Sequence, residues 1–194
     1  MTAGLLSLHD VWVGRARTTR YPGTNPPIAT ENMDIKNIMK REARRIGYKN
    51  WNTPLPEQIV DTTGIKEEIE ALVPDDVDQW MVKTSWLLTY YEFWMNAYPD
   101  ARWVFTYRPP VEIHDSINRH PSMARRSEKQ KFMFIRDLQK RQREIAPKVT
   151  HHFAVSVKKV AQKNKQEINL LFKFLRIPVD WNIVSDFIEP NRMK

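Results

Sequence analysis

The sequence predicts an α/β protein with a largely parallel sheet. Three short runs rich in β-branched and aromatic residues, at 79–84, 103–107 and 151–157, are typical of buried strands. Segments with apolar residues at helical spacing separate these runs, and this alternation favours parallel strands joined by helices. The 194 residues are enough for a single domain with a sizeable core.

The remaining elements follow from the same periodicities. Apolar residues at helical spacing predict helices over residues 2–8, 35–46, 65–73, 85–98, 123–145, 160–175 and 183–188. Gly47 is expected to end the second of these helices. Residues 14–31 are rich in Arg, Pro and Gly and predict a loop.

Composition excludes several classes of protein. The chain has no cysteine, so it has neither a disulfide framework nor thiolate chemistry, which fits a cytoplasmic location. No apolar run reaches the roughly 18 residues of a membrane-spanning helix, and we see no signal peptide. A membrane partner is therefore not expected. The net charge of +8 favours anionic partners such as nucleotides.

Residues 98–116 predict a turn, a buried strand and a new helix. Pro109 and Pro110 end the strand and suit the first turn of the helix. Arg108 then lies at the carboxyl end of a strand, where α/β sheets bind ligands. Ser116 follows eight residues later, about two helical turns on. A guanidinium and a hydroxyl facing one crevice can hold a phosphate, although Arg108 could equally be a surface ion-pair residue and Ser116 a packing residue.

This stretch, YPDARWVFTYRPPVEIHDS, resembles the segment of sulfotransferases that binds the 3′-phosphate of the donor PAPS (3′-phosphoadenosine 5′-phosphosulfate). The resemblance implies a three-layer α/β/α fold of the P-loop NTPase-like type with a mainly parallel central sheet. It implies sulfuryl transfer to a hydroxyl or amine of a small molecule or glycan, with PAP as product and no metal. Arg108 and Ser116 would bind the 3′-phosphate, and Arg192 resembles a basic tail residue with the same role.

The triplet Lys83-Thr84-Ser85 resembles the Lys-Thr-His that ends a strand at a similar distance before the Arg in cytosolic sulfotransferases. The resemblance implies that Lys83 neutralises the transferring sulfuryl group, although Lys83 could equally be a strand-end lysine whose aliphatic stem lies along apolar surface while its ammonium reaches solvent. Ser85 stands where the family has its catalytic His, and a serine cannot act as that base at neutral pH. The general base is therefore unassigned, and the isolated His114 and His120 are each weak candidates for it.

Residues 29–32 resemble a Gly-x-Phe/Tyr-Glu-Asn segment of bacterial sulfotransferase-like proteins, which makes Glu31 a candidate acid/base. The competing interpretation, which we favour, is that Thr30 or Asn32 simply caps the following helix. The adjacent His151 and His152 could suggest a metal site. Neighbouring side chains on a strand point to opposite faces, so we reject that reading.

The opening TAGLLSLHDVWVG resembles the helix that follows the phosphate-binding loop Gly-x-Pro-Arg-Ser-Gly-Thr in sulfotransferases. No such loop occurs among the five glycines of the chain, so the cradle for the 5′-phosphosulfate is expected to be missing. Two alternatives therefore stay open. One is a non-catalytic nucleotide- or anion-binding protein of the same fold, and the other is a nucleic-acid-binding module suggested by the charge alone. The sequence does not predict the oligomeric state.

Overall fold

The computed structural model describes residues 2–19, 28–45, 47, 63–118, 123 and 125–188. The first half contains α1 (Thr2–Ser7), β1 (Ala16–Thr19), β2 (Ile28–Asn32), α2 (Met33–Arg45), α3 (Thr63–Glu70), a 3₁₀ turn (Ser85–Leu88) and α4 (Tyr91–Ala97). The second half contains β3 (Arg102–Tyr107), α5 (Pro110–Asn118), α6 (Glu128–Ile145), a 3₁₀ turn (Ala146–Lys148), β4 (His151–Ser156), α7 (Val157–Ala161), α8 (Lys165–Leu175) and α9 (Trp181–Phe187).

A small parallel sheet confirms the α/β class. Strands β3 and β4 pair in parallel from Arg102↔His151 to Tyr107↔Ser156, which confirms two of the three predicted strands. The third, at 79–84, is reduced to a single parallel bridge between Trp12 and Trp80. Its backbone is held by two hydrogen bonds of 3.0 Å, from Trp12 N to Gln79 O and from Met81 N to Trp12 O.

Apolar side chains pack on both sides of these strands. On one side, Val104 and Val155 join a cluster that α1, α7, α8 and α9 cover. On the other side, Trp103 packs against a second cluster built from α2, α3 and α4. Phe105 forms a third cluster with Ile145 and Val149. The alternation along β3 is what the two-residue period of a strand requires when both faces are covered.

A buried histidine ties the two ends of the described chain together. The ring of His9 contacts the Leu5 carbonyl through Nδ1 at 2.8 Å and accepts a hydrogen bond from the Asp180 N–H through Nε2 at 3.1 Å. Nδ1 therefore donates, and the ring is the neutral Nδ1–H tautomer. Its edge also packs on Phe172 with ring centroids 4.6 Å apart. This contact fixes the end of α1 against the start of α9.

The predicted loop over residues 14–31 is wrong in part, because β1 and β2 pair as antiparallel strands, whereas residues 20–27 lie outside the described residues. The predicted helix over 85–98 is also wrong in detail, since a 3₁₀ turn precedes α4 and the two are separated at Thr89 and Tyr90. The predicted helix over 160–175 is interrupted because Lys163 has a positive φ of 55° and the Asn164 side chain caps α8.

Two other helix boundaries are set by local capping. Helix α6 begins at Glu128 because Ser127 and Gln130 form a reciprocal capping box, so the helix starts later than the predicted residue 123. Gly47 follows the end of α2 with φ +77°, and its N–H donates to the Arg44 carbonyl. This confirms Gly47 as the helix end, because glycine adopts this left-handed conformation without steric cost. No helix in the described ranges is long and apolar enough to cross a membrane.

Candidate anion-binding site

The junction between β3 and α5 carries the two residues that the sequence predicted for a phosphate. Arg108 leaves the strand half-buried, and its backbone carbonyl accepts a hydrogen bond of 3.3 Å from Gln139 Nε2 on α6. Helix α5 follows at once, closed by a hydrogen bond of 3.2 Å from Ile113 N to Pro109 O. Ser116 lies half-buried in the last turns of α5. Both residues therefore lie on one strand–helix unit, as predicted.

A network of polar and aromatic contacts anchors α5 to α6. His114 Nε2 contacts Glu128 Oε2 at 2.5 Å, and Lys131 Nζ donates to Glu128 Oε1 at 2.6 Å. The hydrogen bond from Lys131 lowers the pKa of Glu128 most, and the one from His114 lowers it further. The His114 ring also stacks on Phe132, with centroids 5.0 Å apart. The network holds the helix that carries Ser116 in one place.

His114 is a structural residue rather than a free base. Asn118 Nδ2 lies 3.3 Å from His114 Nδ1, so Nδ1 accepts and the proton is on Nε2, facing Glu128. A general base needs an unoccupied lone pair within reach of the substrate. This geometry agrees with the sequence analysis, which treated His114 as a weak candidate for the general base. His120 lies outside the described residues.

The second candidate group forms where β2 meets α2. Asn32 Oδ1 accepts hydrogen bonds from Asp34 N at 3.0 Å and Ile35 N at 3.1 Å, which makes Asn32 the cap of α2. The preceding residue, Glu31, forms an ion pair with Lys36, and both side chains are only 18% exposed. The favoured capping interpretation is confirmed for Asn32, while Glu31 has a separate electrostatic role.

Lys83 lies close enough to this ion pair to interact with both of its members. Crowding by protein atoms lowers the pKa of Lys83, since desolvation penalises the charged ammonium. The carboxylate of Glu31 opposes this effect, and the charge of Lys36 adds to it. The residue as a whole keeps contact with solvent, so the effect comes from the surroundings of the ammonium and not from complete burial. Glu31, Lys36 and Lys83 are hereafter called the lysine–glutamate cluster.

Long-range packing brings this cluster together. Lys83 follows the segment that pairs with Trp12, whereas Glu31 ends a hairpin strand and Lys36 lies in the first turns of α2. The sequence analysis did not identify Lys36 as a member of this site. Lys36 follows Glu31 by five residues across a strand–helix junction, but the two form an ion pair only because of where β2 is placed.

Arg192 lies outside the described residues. His151 and His152 belong to β4, and the described part of the chain holds no group of three or more His, Asp or Glu side chains suited to a metal ion.

No family model, no curated protein and no solved structure matches this chain.

Proposed function

We propose that the protein is a PAPS-dependent sulfotransferase with a three-layer α/β/α fold of the P-loop NTPase-like type. The observation that carries the proposal is the unit of β3, Arg108 and α5. Arg108 directly follows a parallel strand, and the next helix carries Ser116 at the expected distance. The carboxyl ends of parallel strands are the usual ligand-binding edge of such sheets.

The packing of the strands supports the layered architecture. Met81 and Val104 pack against the same apolar cluster, whereas Trp80, Val82 and Trp103 pack against the opposite one. This shared alternation favours a position for residues 79–82 beside β3, with helices on both sides. Lys83 then stands at the end of a strand-like segment, as Arg108 does at the end of β3.

The donor nucleotide would bind through its 3′-phosphate to Arg108 and Ser116. The guanidinium can donate two parallel hydrogen bonds to phosphate oxygens, and the serine hydroxyl can donate a third. The contacts between α5 and α6 described above keep Ser116 fixed relative to the strand. Such preorganisation reduces the ordering that binding would otherwise require.

The lysine–glutamate cluster would carry out the transfer. Lys83 neutralises negative charge on the oxygens of the sulfuryl group as it passes between donor and acceptor. The acceptor oxygen forms a bond to sulfur while the bond from sulfur to the 5′-phosphate oxygen breaks and PAP leaves. The acceptor proton passes to the Glu31 carboxylate, which Lys36 orients.

A non-catalytic anion-binding protein of the same fold is the second candidate. Two observations favour it. Glu31 is already engaged by Lys36, and the sequence has neither the glycine-rich loop nor the histidine base of the family. In this case Arg108, Lys83 and Lys36 would bind an anionic ligand without transfer. A nucleic-acid-binding module is a third reading that rests on the net charge alone, and the cytoplasmic location remains a prediction.

Calorimetric titration with PAP, and with AMP as the ligand that lacks the 3′-phosphate, tests the donor site. We expect PAP to bind much more tightly than AMP, and Arg108→Ala and Ser116→Ala to remove that preference. Arg143→Ala, which removes an equal charge from an exposed position on α6, should leave it intact. Equal binding of PAP and AMP by the wild type would overturn the donor assignment. Transfer of labelled sulfate from PAPS separates the enzyme from the non-catalytic binder.

A further inference from the structure

The solvent side of α6 exposes apolar side chains among cations. Phe132 and Met133, in the second turn of the helix, are 55% and 44% exposed. The opposite side of α6 is buried at Lys131, Ile135 and Ile145. A helix that packs by one side usually carries polar residues on the other, so an adjacent Phe and Met in solvent point to a partner.

Six exposed residues of α6 form a continuous stripe. At 100° per residue they fall within an arc of about 100° around the helix axis, and they span about 21 Å along it. These residues, called the α6 stripe, are Lys129, Phe132, Met133, Arg136, Lys140 and Arg143. Cations thus flank the two apolar side chains on both sides along the helix.

The positive charge of the stripe is only partly compensated. Lys129 and Arg143 have no carboxylate partner in the ranges that the structure describes. The other two cations contact carboxylates of their own helix, Arg136 with Asp137 at 3.1 Å and Lys140 with Glu144 at 3.7 Å. Such exposed pairs are weak, so both cations can turn to another anion at little cost.

Helix α5 widens the apolar part of this surface. The Phe132 ring stacks on the His114 ring of α5, with centroids 5.0 Å apart, which holds Phe132 in one orientation. Val111 lies three residues before His114, on the same side of α5, and is 63% exposed. Three apolar side chains from two packed helices therefore reach solvent next to the cations.

We propose that the α6 stripe docks the protein on an anionic lipid surface. Phe132, Met133 and Val111 enter the boundary between headgroups and acyl chains, and the Lys and Arg side chains contact anionic headgroups. The net charge of +8 adds long-range attraction to such a surface. This contact differs from the spanning segment that the sequence analysis excluded, and it revises the expectation that no membrane partner exists. It does not depend on the proposed sulfuryl transfer.

The size and charge of this surface favour lipid over a protein. A stable protein interface buries about 800 Å² on each partner around a largely apolar centre, whereas here three apolar side chains lie among four cations. A lipid surface needs only a few inserted side chains, because each nearby Lys or Arg adds electrostatic attraction. A second copy of this chain would bring a stripe of the same charge against the first, and like charges repel.

Fluorescence from a single label tests the insertion. The chain has no cysteine, so an introduced one takes the environment-sensitive fluorophore NBD at one chosen position. Met133→Cys places the label in the stripe. Leu170→Cys on α8 is the matched control, because Leu170 is 46% exposed and Met133 is 44% exposed. Mixed vesicles of phosphatidylcholine and phosphatidylglycerol provide the anionic surface, and vesicles of phosphatidylcholine alone provide the neutral one.

We expect emission from the label at position 133 to increase and shift to the blue with the mixed vesicles. The label at position 170 should not respond, and neither label should respond to phosphatidylcholine alone. Equal responses at the two positions would show unspecific adsorption and overturn the stripe. If the label at position 133 does not respond to the mixed vesicles, the proposed insertion is wrong.

Cosedimentation with the mixed vesicles measures the contribution of the cations. Lys129→Gln/Arg143→Gln should weaken binding about thirtyfold. The matched control Lys158→Gln/Lys173→Gln removes two exposed cations from α7 and α8 that also lack an ion pair among the described residues, and it should have a much smaller effect. Circular dichroism verifies that each variant is folded. Equal weakening by the two double variants would show attraction to the net charge alone and reject the stripe.

Three further measurements test other occupants of the surface. Poly-L-glutamate represents an acidic protein and poly(dT) a nucleic acid, and we expect Lys129→Gln/Arg143→Gln to affect neither more than the control does. Binding of either polymer that is tighter than vesicle binding and depends on the stripe would overturn the lipid assignment in favour of that class. Sedimentation equilibrium should show no dimer that Met133→Gln dissociates, since such a dimer would assign the surface to a second copy.

Discussion

Gly14 lies so close to the Asn32 side chain that a Cβ atom at position 14 would be 2.0 Å from Asn32 Nδ2. Asn32 caps α2, and Glu31 precedes it in the chain. The glycine also has φ +66°, a conformation that other residues rarely adopt. The approach of these two residues therefore sets the position of the strand–helix junction that carries Glu31.

Gly14→Ala is expected to lower the free energy of unfolding by about 2 kcal/mol, from backbone strain and disturbance of the cap. Denaturant unfolding measures the change. Gly47→Ala is the matched control, because Gly47 has φ +77° but, among the described residues, no atom of a residue outside its chain neighbours lies within 4 Å of its would-be Cβ. The control substitution should lower the free energy of unfolding by about 1 kcal/mol, from backbone strain alone. Equal losses in the two variants would contradict the proposed steric contact.

Arg176→Gly is expected to stabilise the protein by about 1 kcal/mol. Arg176 ends α8 in the left-handed conformation with φ 60°, where Ile177 N donates to Phe172 O as in a Schellman ending. Glycine has no Cβ and adopts this conformation without strain. Arg176→Ala removes the side chain but keeps the strain, so it should not stabilise. A Tm increase for both variants would instead point to the arginine charge.

Glu42→Gln should reduce stability near neutral pH by about 1 kcal/mol. Burial by itself would raise the pKa of Glu42, but hydrogen bonds from Arg45 and Arg41 lower it below its ordinary 4.5. A carboxyl whose folded-state pKa is lowered contributes stability above the unfolded-state pKa and loses it as pH falls through the folded one. The wild-type advantage over Glu42→Gln should thus be constant above about pH 4.5 and shrink below it.

Chemical denaturation at a series of pH values gives this difference. Glu67→Gln is the control, since Glu67 is exposed on α3 and has no ion pair among the described residues. The Glu67→Gln variant should have the same stability as the wild type at every pH. A Glu42→Gln deficit that persists unchanged in acid would argue that lost packing, and not the ionised carboxylate, causes the effect.

Lys83→Met should abolish sulfate transfer from PAPS without lowering stability at neutral pH. Desolvation of the ammonium by the surrounding protein atoms lowers the pKa of Lys83 from 10.5, which means that the folded state disfavours the charged form. Between the lowered pKa and 10.5 the unfolded chain binds more protons, so wild-type stability rises with pH in that interval. The methionine variant should lack this rise when both proteins are unfolded by urea across alkaline pH.

Lys36→Met provides the contrast in the same cluster. It leaves the Glu31 carboxylate, which is 18% exposed, without its partner, and an unpaired charge in that environment is costly. We expect this variant to be less stable than the wild type at neutral pH. If Lys83→Met proves to be the more destabilising of the two, Lys83 is a scaffold residue and its assigned role in transfer is wrong.

Local sequence patterns predicted the elements whose geometry depends on near neighbours. The aromatic and β-branched run of β3 is a strand because its side chains fit a sheet covered on both faces. Asn32 was foreseen as a cap because an amide side chain satisfies the free N–H groups at a helix start. The arginine–serine spacing around α5 was predictable because a proline-initiated helix has a known pitch.

Only the tertiary structure decided the contacts between distant segments. The parallel bridge from Trp12 to Trp80 and the proximity of Lys83 to Glu31 join residues that no local period relates. The run at 79–84 had the composition of a strand, but strand formation requires a partner backbone along its length, and hydrogen bonds to Trp12 are formed at Gln79 and Met81. Local propensity therefore determined the elements, and long-range pairing determined which charged residues meet.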